Sequence, residues 1–135
     1  MPLYIGNNEV GNVAVYPGKE EAPVETKNIQ AYHGMVTKSV ASLTSTGVRL
    51  TVAKTGTYKV SWTGFRNTTQ GTSSSQLYID RVAYGSANST FTGSYGQSVV
   101  LNNVSLTEGQ TVEVYARARS TSYYMGVGNL IIEEV

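Results

Sequence analysis

The chain has 135 residues and a formal charge of +1, ten basic side chains against nine acidic, with no cysteine. That length suits one domain with a real core, and the absence of cysteine excludes a disulfide scaffold and a thiolate metal site. A balanced charge without Lys/Arg clusters gives no reason to expect nucleic acid or an anionic membrane as partner.

The N-terminal stretch predicts a small hairpin. Leu3-Tyr4-Ile5 and Val13-Ala14-Val15-Tyr16 are β-rich, and Gly6-Asn7-Asn8 and Gly11-Asn12 are turn-formers. Pro17-Gly18 ends it, and Lys19-Glu20-Glu21-Ala22-Pro23 is a polar spacer. Residues 1–23 are therefore read as an attachment hairpin ahead of a sandwich domain over 24–135. Its apolar face, Leu3, Tyr4, Ile5, Val13, Val15 and Tyr16, must pack on something, because a lone hairpin is marginal in water. The opening residues carry neither a basic region nor a long apolar stretch, so assembly in a cytoplasm is expected. No apolar run approaches the roughly 20 residues that span a bilayer, so no membrane insertion is expected.

From Asn28 to Ser45 the pattern predicts one or two irregular strands. At Gly47 a regular body begins. Val48, Leu50 and Val52 share one face, and after the Thr55-Gly56 turn Tyr58, Val60 and Trp62 share another, opposite Lys59, Ser61 and Thr63. Asn67 to Ser75 holds no apolar residue and reads as a loop. Leu77-Tyr78-Ile79 and Val82-Ala83-Tyr84 flank Asp80-Arg81, the pattern of a tight hairpin.

Gly85 to Gln97 reads as a further loop, holding Phe91 and Tyr95. Two short strands, Ser98 to Leu101 and Val104 to Leu106, are expected either side of an Asn102-Asn103 turn. Thr111 to Arg119 alternates strictly, with Val112, Val114, Ala116 and Ala118 inside and Glu113, Tyr115, Arg117 and Arg119 outside. The phrase Ala53-Lys54-Thr55-Gly56-Thr57-Tyr58-Lys59-Val60-Ser61-Trp62 is echoed by Thr107-Glu108-Gly109-Gln110-Thr111-Val112-Glu113-Val114-Tyr115-Ala116, each a glycine turn followed by an alternating strand, so the two segments are expected to be corresponding long strands. The closing stretch contains Leu130-Ile131-Ile132, apolar enough to belong inside a sheet. With no capped helical period, the fold is all-β: an antiparallel jelly-roll sandwich of about eight to ten strands with an N-terminal β-hairpin extension.

The body from Val48 to Val135 resembles the C1q/TNF-like jelly roll in the form found in bacteriophage head and tail fibres. The residues carrying this are Gly56 to Trp62, Leu77 to Val82, Val104 to Val112 and the apolar closing strand. The resemblance implies a homotrimer with its closing strands near the three-fold axis, serving as a virion fibre, tail or capsid-decoration protein. No collagen-like or coiled-coil stalk accompanies it.

Candidate chemistry is sparse. His33 is the single histidine and has no second histidine or cysteine at metal-ligand spacing, so it reads as a surface or structural residue. Asp80 and Glu108 sit at turns, where acids serve the backbone, and Glu113 lies among basic neighbours. Lys54-Thr55-Gly56 lacks the Ser-x-x-Lys partner of a β-lactamase-like site, and Gly126-Val127-Gly128 reads as a bulge or a close approach of backbones. Asn67, Asn88 and Asn103 open formal glycosylation sequons that chance explains. No cofactor is called for.

The tyrosines are the better lead. Tyr84, Tyr95, Tyr115, Tyr123 and Tyr124 take loop or outward positions, and with Arg117 and Arg119 they are the interface or ligand candidates. The leading expectation is a non-enzymatic virion structural protein, assembled in a host cytoplasm. It would form a homo-oligomer and dock its hairpin on another virion protein by β-augmentation. The alternative is a carbohydrate- or receptor-binding module that takes a surface glycan on Tyr84, Tyr95, Tyr123 and Tyr124. A small glycosidase or lyase ranks third, for want of convergent acids.

Overall fold

The computed structural model describes residues 27–66, 73–88 and 97–135. Among them the alternating segments form strands β1 (Ile29–Lys38), β2 (Thr44–Thr51), β3 (Gly56–Arg66), β4 (Ser74–Ile79), β5 (Val82–Ala83), β6 (Gln97–Leu106), β7 (Thr111–Arg117) and β8 (Met125–Glu134). Two antiparallel sheets result, ordered β1-β8-β3-β6 and β2-β7-β4-β5. The chain is thus the all-β sandwich that its period-two pattern predicts. The attachment-hairpin residues Leu3, Tyr4, Ile5, Val13, Val15 and Tyr16, and with them the 23/24 boundary, lie outside the described residues.

The two sheets close on Val48, Val52, Tyr58, Val60, Trp62 and Leu77 together with Val104, Leu106, Val112, Val114, Leu130 and Ile132, all at most 2% exposed. Each large apolar side chain so buried stabilises the fold by about 1.5–3 kcal/mol relative to exposure. The two echoed phrases become β3 and β7, each an interior strand of its own sheet. The closing strand β8 lies between β1 and β3, as its apolarity requires.

Two expectations are corrected. Asn102-Asn103 is not a turn between short strands: β6 runs unbroken from Gln97 to Leu106 and bulges there, with Asn103 at φ 58°. Asparagine tolerates that left-handed backbone, so a turn-former serves inside a strand. Ser74 and Ser75 belong to β4 rather than to a loop, and both are wholly buried. Ser75 is polar in the core because its Oγ accepts the Trp62 indole N–H at 2.8 Å. The irregular strand expected after Asn28 is found: 29–38 is one strand with a register shift between Tyr32 and Met35.

Bulges also explain where the alternation changes phase. In β8 both Met125/Val127 and Leu130/Ile132 face the core, on opposite parities, because Asn129 at φ 53° inserts an extra residue. In β2 the register slips between Ser45 and Arg49. Side chains close that gap: Thr46 Oγ1 donates to the Val114 carbonyl at 2.6 Å and accepts from the Val48 amide at 3.1 Å.

Candidate functional site

The outward face of the β2-β7-β4-β5 sheet carries a cluster of polar and aromatic side chains. Because Val112, Val114 and Ala116 fill the core, Glu113, Tyr115 and Arg117 point the other way. Strand pairing sets Arg49 beside Glu113 and Glu113 beside Tyr78, then Ser45 beside Tyr115 and Tyr115 beside Gln76, then Arg117 beside Ser74. The face is therefore a short grid with a tyrosine in each of two successive rows.

The two tyrosines meet. Tyr78 and Tyr115 stack with ring centroids 3.6 Å apart and planes 2° from parallel. Diagonal neighbours on paired strands are within reach of aromatic rings, and here the two lock each other's side-chain torsions. Both are half-buried at their bases, with their outer surfaces toward solvent. Gln76 is fastened beside them, its Nε2 donating to the Gly85 carbonyl at 2.9 Å.

Glu113 is not the free outward acid that its alternation predicts. It is 5% exposed. Its Oε2 accepts from the Ser45 hydroxyl and from the Gly47 amide at 3.2 Å, and Arg49 Nη1 stands 3.8 Å away. The carboxylate thereby replaces the ladder hydrogen bonds that the β2 bulge removes. Asp80 is likewise engaged: its Oδ1 accepts from the Thr111 amide at 2.9 Å, and its own amide donates to the Thr111 carbonyl at 2.8 Å. Glu113 and Asp80, with Arg49, Arg81 and Thr111, line a cleft of about 320 Å³ where the sheet ends. A second cleft, of about 200 Å³, lies on the other sheet among Lys27, Lys59, Glu133, Glu134 and Val135.

The residues expected to form an interface divide into groups. Tyr115 and Arg117 share the grid, Arg117 Nε donating to Ser74 Oγ at 3.4 Å. Arg119 continues the alternation past the end of β7, and its guanidinium lies 5.5 Å over the Tyr123 ring. Tyr84 is 37% exposed at the edge of the same sheet, beyond β5. Tyr124 is elsewhere: it meets Phe65 edge-on at 5.9 Å, against the opposite sheet. Tyr95 lies outside the described residues. His33 is an exposed residue of the β1 edge strand.

Sequence reasoning passed over Tyr78, Gln76, Arg49 and Arg81 as members of this face. Tyr78 carries a signal, since it lies between the inward Leu77 and Ile79 and so must point outward. Its pairing partner could not be read, because β4 and β7 are distant in sequence. Among the described residues no group of three His, Asp or Glu converges on a point.

No protein-family model matches the chain, and no curated protein matches it. Solved structures do share its fold. The chain is similar to the CBM36-1 domain of a multidomain xylanase from the hindgut metagenome of Trinervitermes trinervoides, with a TM-score of 0.56 and 18% identity over 79% of this chain and 96% of that one. Fainter likenesses run to a carbohydrate-binding module CBM36 in complex with calcium and xylotriose (TM-score 0.49, 21% identity, 90% of this chain, 91% of that one) and to the Podospora anserina GH26-CBM35 β-(1,4)-mannanase (TM-score 0.45, 15% identity, 80% and 27%). The likeness to the CBM36-1 domain makes the fold a jelly-roll β-sandwich.

Proposed function

We propose that this chain is a non-catalytic carbohydrate-binding module that receives its saccharide on the outward face of the β2-β7-β4-β5 sheet. The observation that carries the reading is the stacked pair Tyr78 and Tyr115, held half-exposed among Gln76, Arg117 and Arg49. Sugar rings present C–H faces that pack on aromatic surface and hydroxyls that need fixed polar partners. A pair that already locks its own torsions loses little entropy when a ligand arrives. The jelly roll shared with the CBM36-1 domain supports the same reading. Binding rather than catalysis is favoured because Asp80 and Glu113 are both tied to backbone amides.

Of the candidates named from the sequence, Tyr115 and Arg117 belong to this platform, Tyr123 and Arg119 lie at its far end, and Tyr78 is added to them. The virion-structural reading, with its trimer and its docking hairpin, rests on the resemblance alone.

Affinity electrophoresis through gels containing xylan, mannan, cellulose derivatives or polygalacturonate tests the proposal. At least one polymer is expected to retard the protein, and Tyr78→Ala or Tyr115→Ala should weaken that retardation about tenfold. Tyr124→Ala, on the opposite sheet, should leave it unchanged. Migration unaffected by every polymer, or retardation indifferent to both platform tyrosines, would refute the assignment.

A further inference from the structure

We infer that the saccharide is acidic, a polymer bearing carboxylates along its length, an inference that rests on the carbohydrate reading above. The described arginines other than Arg66 all belong to the proposed face or its ends. Arg49 and Arg81 line the cleft at one end, Arg117 stands in the grid beyond the tyrosines, and Arg119 lies at the other end over Tyr123. None of the described lysines, Lys27, Lys38, Lys54 and Lys59, lies on the strands of this sheet. A guanidinium meets a carboxylate with two parallel hydrogen bonds and stacks on aromatic rings, which an ammonium cannot do.

Asp80 and Glu113 offset Arg81 and Arg49 at the cleft end, whereas no carboxylate among the described residues pairs with Arg117 or Arg119, so the excess positive charge lies toward that end of the face. Asp80 is engaged with Thr111, and Glu113 with Ser45, Gly47 and Arg49. Arg81 pairs with no carboxylate among the described residues. It occupies the second central position of the β4–β5 turn at φ 67°, following Asp80 at φ 51°. Glycine is the favoured residue at such a position, so the turn carries a cation at some conformational cost. Arg117 lies four residues from Glu113 on β7, roughly 14 Å at about 3.4 Å per residue, so it stands past the tyrosine pair on one side while Arg81, in the turn after β4, stands past it on the other.

Polygalacturonate and its fully methyl-esterified form separate charge from sugar, because esterification keeps the ring and removes the carboxylate. Isothermal titration is expected to show the acid form binding at least about tenfold more tightly, with the difference shrinking as salt is raised. Arg81→Gly should weaken the acid form by about threefold to tenfold and leave the ester untouched, and Arg117→Gln should weaken the acid form by more than it weakens the ester. Arg81→Gly also suits the turn, so its melting temperature should hold or rise while affinity falls, which separates ligand contact from damage to the fold. Equal affinity for acid and ester would overturn the inference and leave the carbohydrate reading standing. Single-stranded DNA binding as tightly as polygalacturonate would also overturn it, as mere polyanion attraction. Failure to bind any glycan in a broad array would defeat the carbohydrate reading itself.

Discussion

Replacing Glu113 tests whether a buried carboxylate holds the β2 bulge closed. Its Oε2 accepts from the Ser45 hydroxyl and the Gly47 amide, with Arg49 at 3.8 Å. A hydrogen bond to a charged group contributes about 1.5–3 kcal/mol. Ser45 is half-buried and Gly47 exposed, so water reaches both donors and the lower figure applies. Two such bonds give about 3 kcal/mol. The Arg49 pair adds under about 1 kcal/mol, because the Arg49 side chain is 59% exposed. Glu113→Ala should therefore cost about 3 kcal/mol. Glu113→Gln retains one carbonyl oxygen for the same donors and should cost about 1 kcal/mol. Urea titration followed by the fluorescence of Trp62, the single tryptophan and itself buried, reads both variants. At a slope of about 2 kcal/mol per molar urea, the midpoint should fall by about 1.5 M for alanine and 0.5 M for glutamine, with the slope unchanged. An alanine midpoint within about 0.3 M of the parent, or glutamine as damaging as alanine, would show that Glu113 does not clamp the bulge.

Two further substitutions address the packing that presents this face. In Gly128→Ala the new Cβ would overlap the Gly34 carbonyl oxygen and come within 3.0 Å of Met35 Sδ, and the backbone partner cannot swing aside. Losing the β1–β8 hydrogen bonds around the bulge should cost about 2–4 kcal/mol, seen as a fall of about 10 °C in Tm; a fall under about 2 °C would contradict the close approach. Trp62→Phe strands the buried Ser75 hydroxyl and leaves a void, so circular dichroism melts should show a loss of about 2–3 kcal/mol. Adding Ser75→Ala should recover part of it, and strict additivity of the two changes would argue against the hydrogen bond.

How far the sequence could be read depended on whether a feature is local. Alternation is local, and it placed Val112, Val114 and Ala116 in the core and Tyr115 and Arg117 outside without any knowledge of neighbours. The Asp80-Arg81 turn was likewise legible from its flanking strands. Of the bulges, the one beside Gly126-Val127-Gly128 was legible from its glycines, while the one at Asn103 was not, because that residue looks like a turn-former while serving inside a strand. Ser75 read as loop for the same reason: only the arrival of the Trp62 indole makes a buried hydroxyl tolerable. The candidate site was harder still. Each tyrosine was visible as outward, but their stacking depends on the pairing of β4 with β7, which no single-strand pattern encodes. Glu113 was visible as outward too, and its burial follows from a bulge in a different strand.

The two ends of the described body meet. The Glu134 amide donates to the Asn28 carbonyl at 3.0 Å, and Val135 reaches the Thr57 carbonyl, so both ends leave from one corner of the β1-β8-β3-β6 sheet. That geometry makes the body a cassette. A short linker could join residue 135 to residue 27 and new ends be opened at the Thr107 to Gln110 turn, giving a circular permutant with the same sandwich. It also means that a protein tethered to a sensor surface through Val135 would rest on that corner, with its arginine- and tyrosine-bearing sheet turned toward the solution.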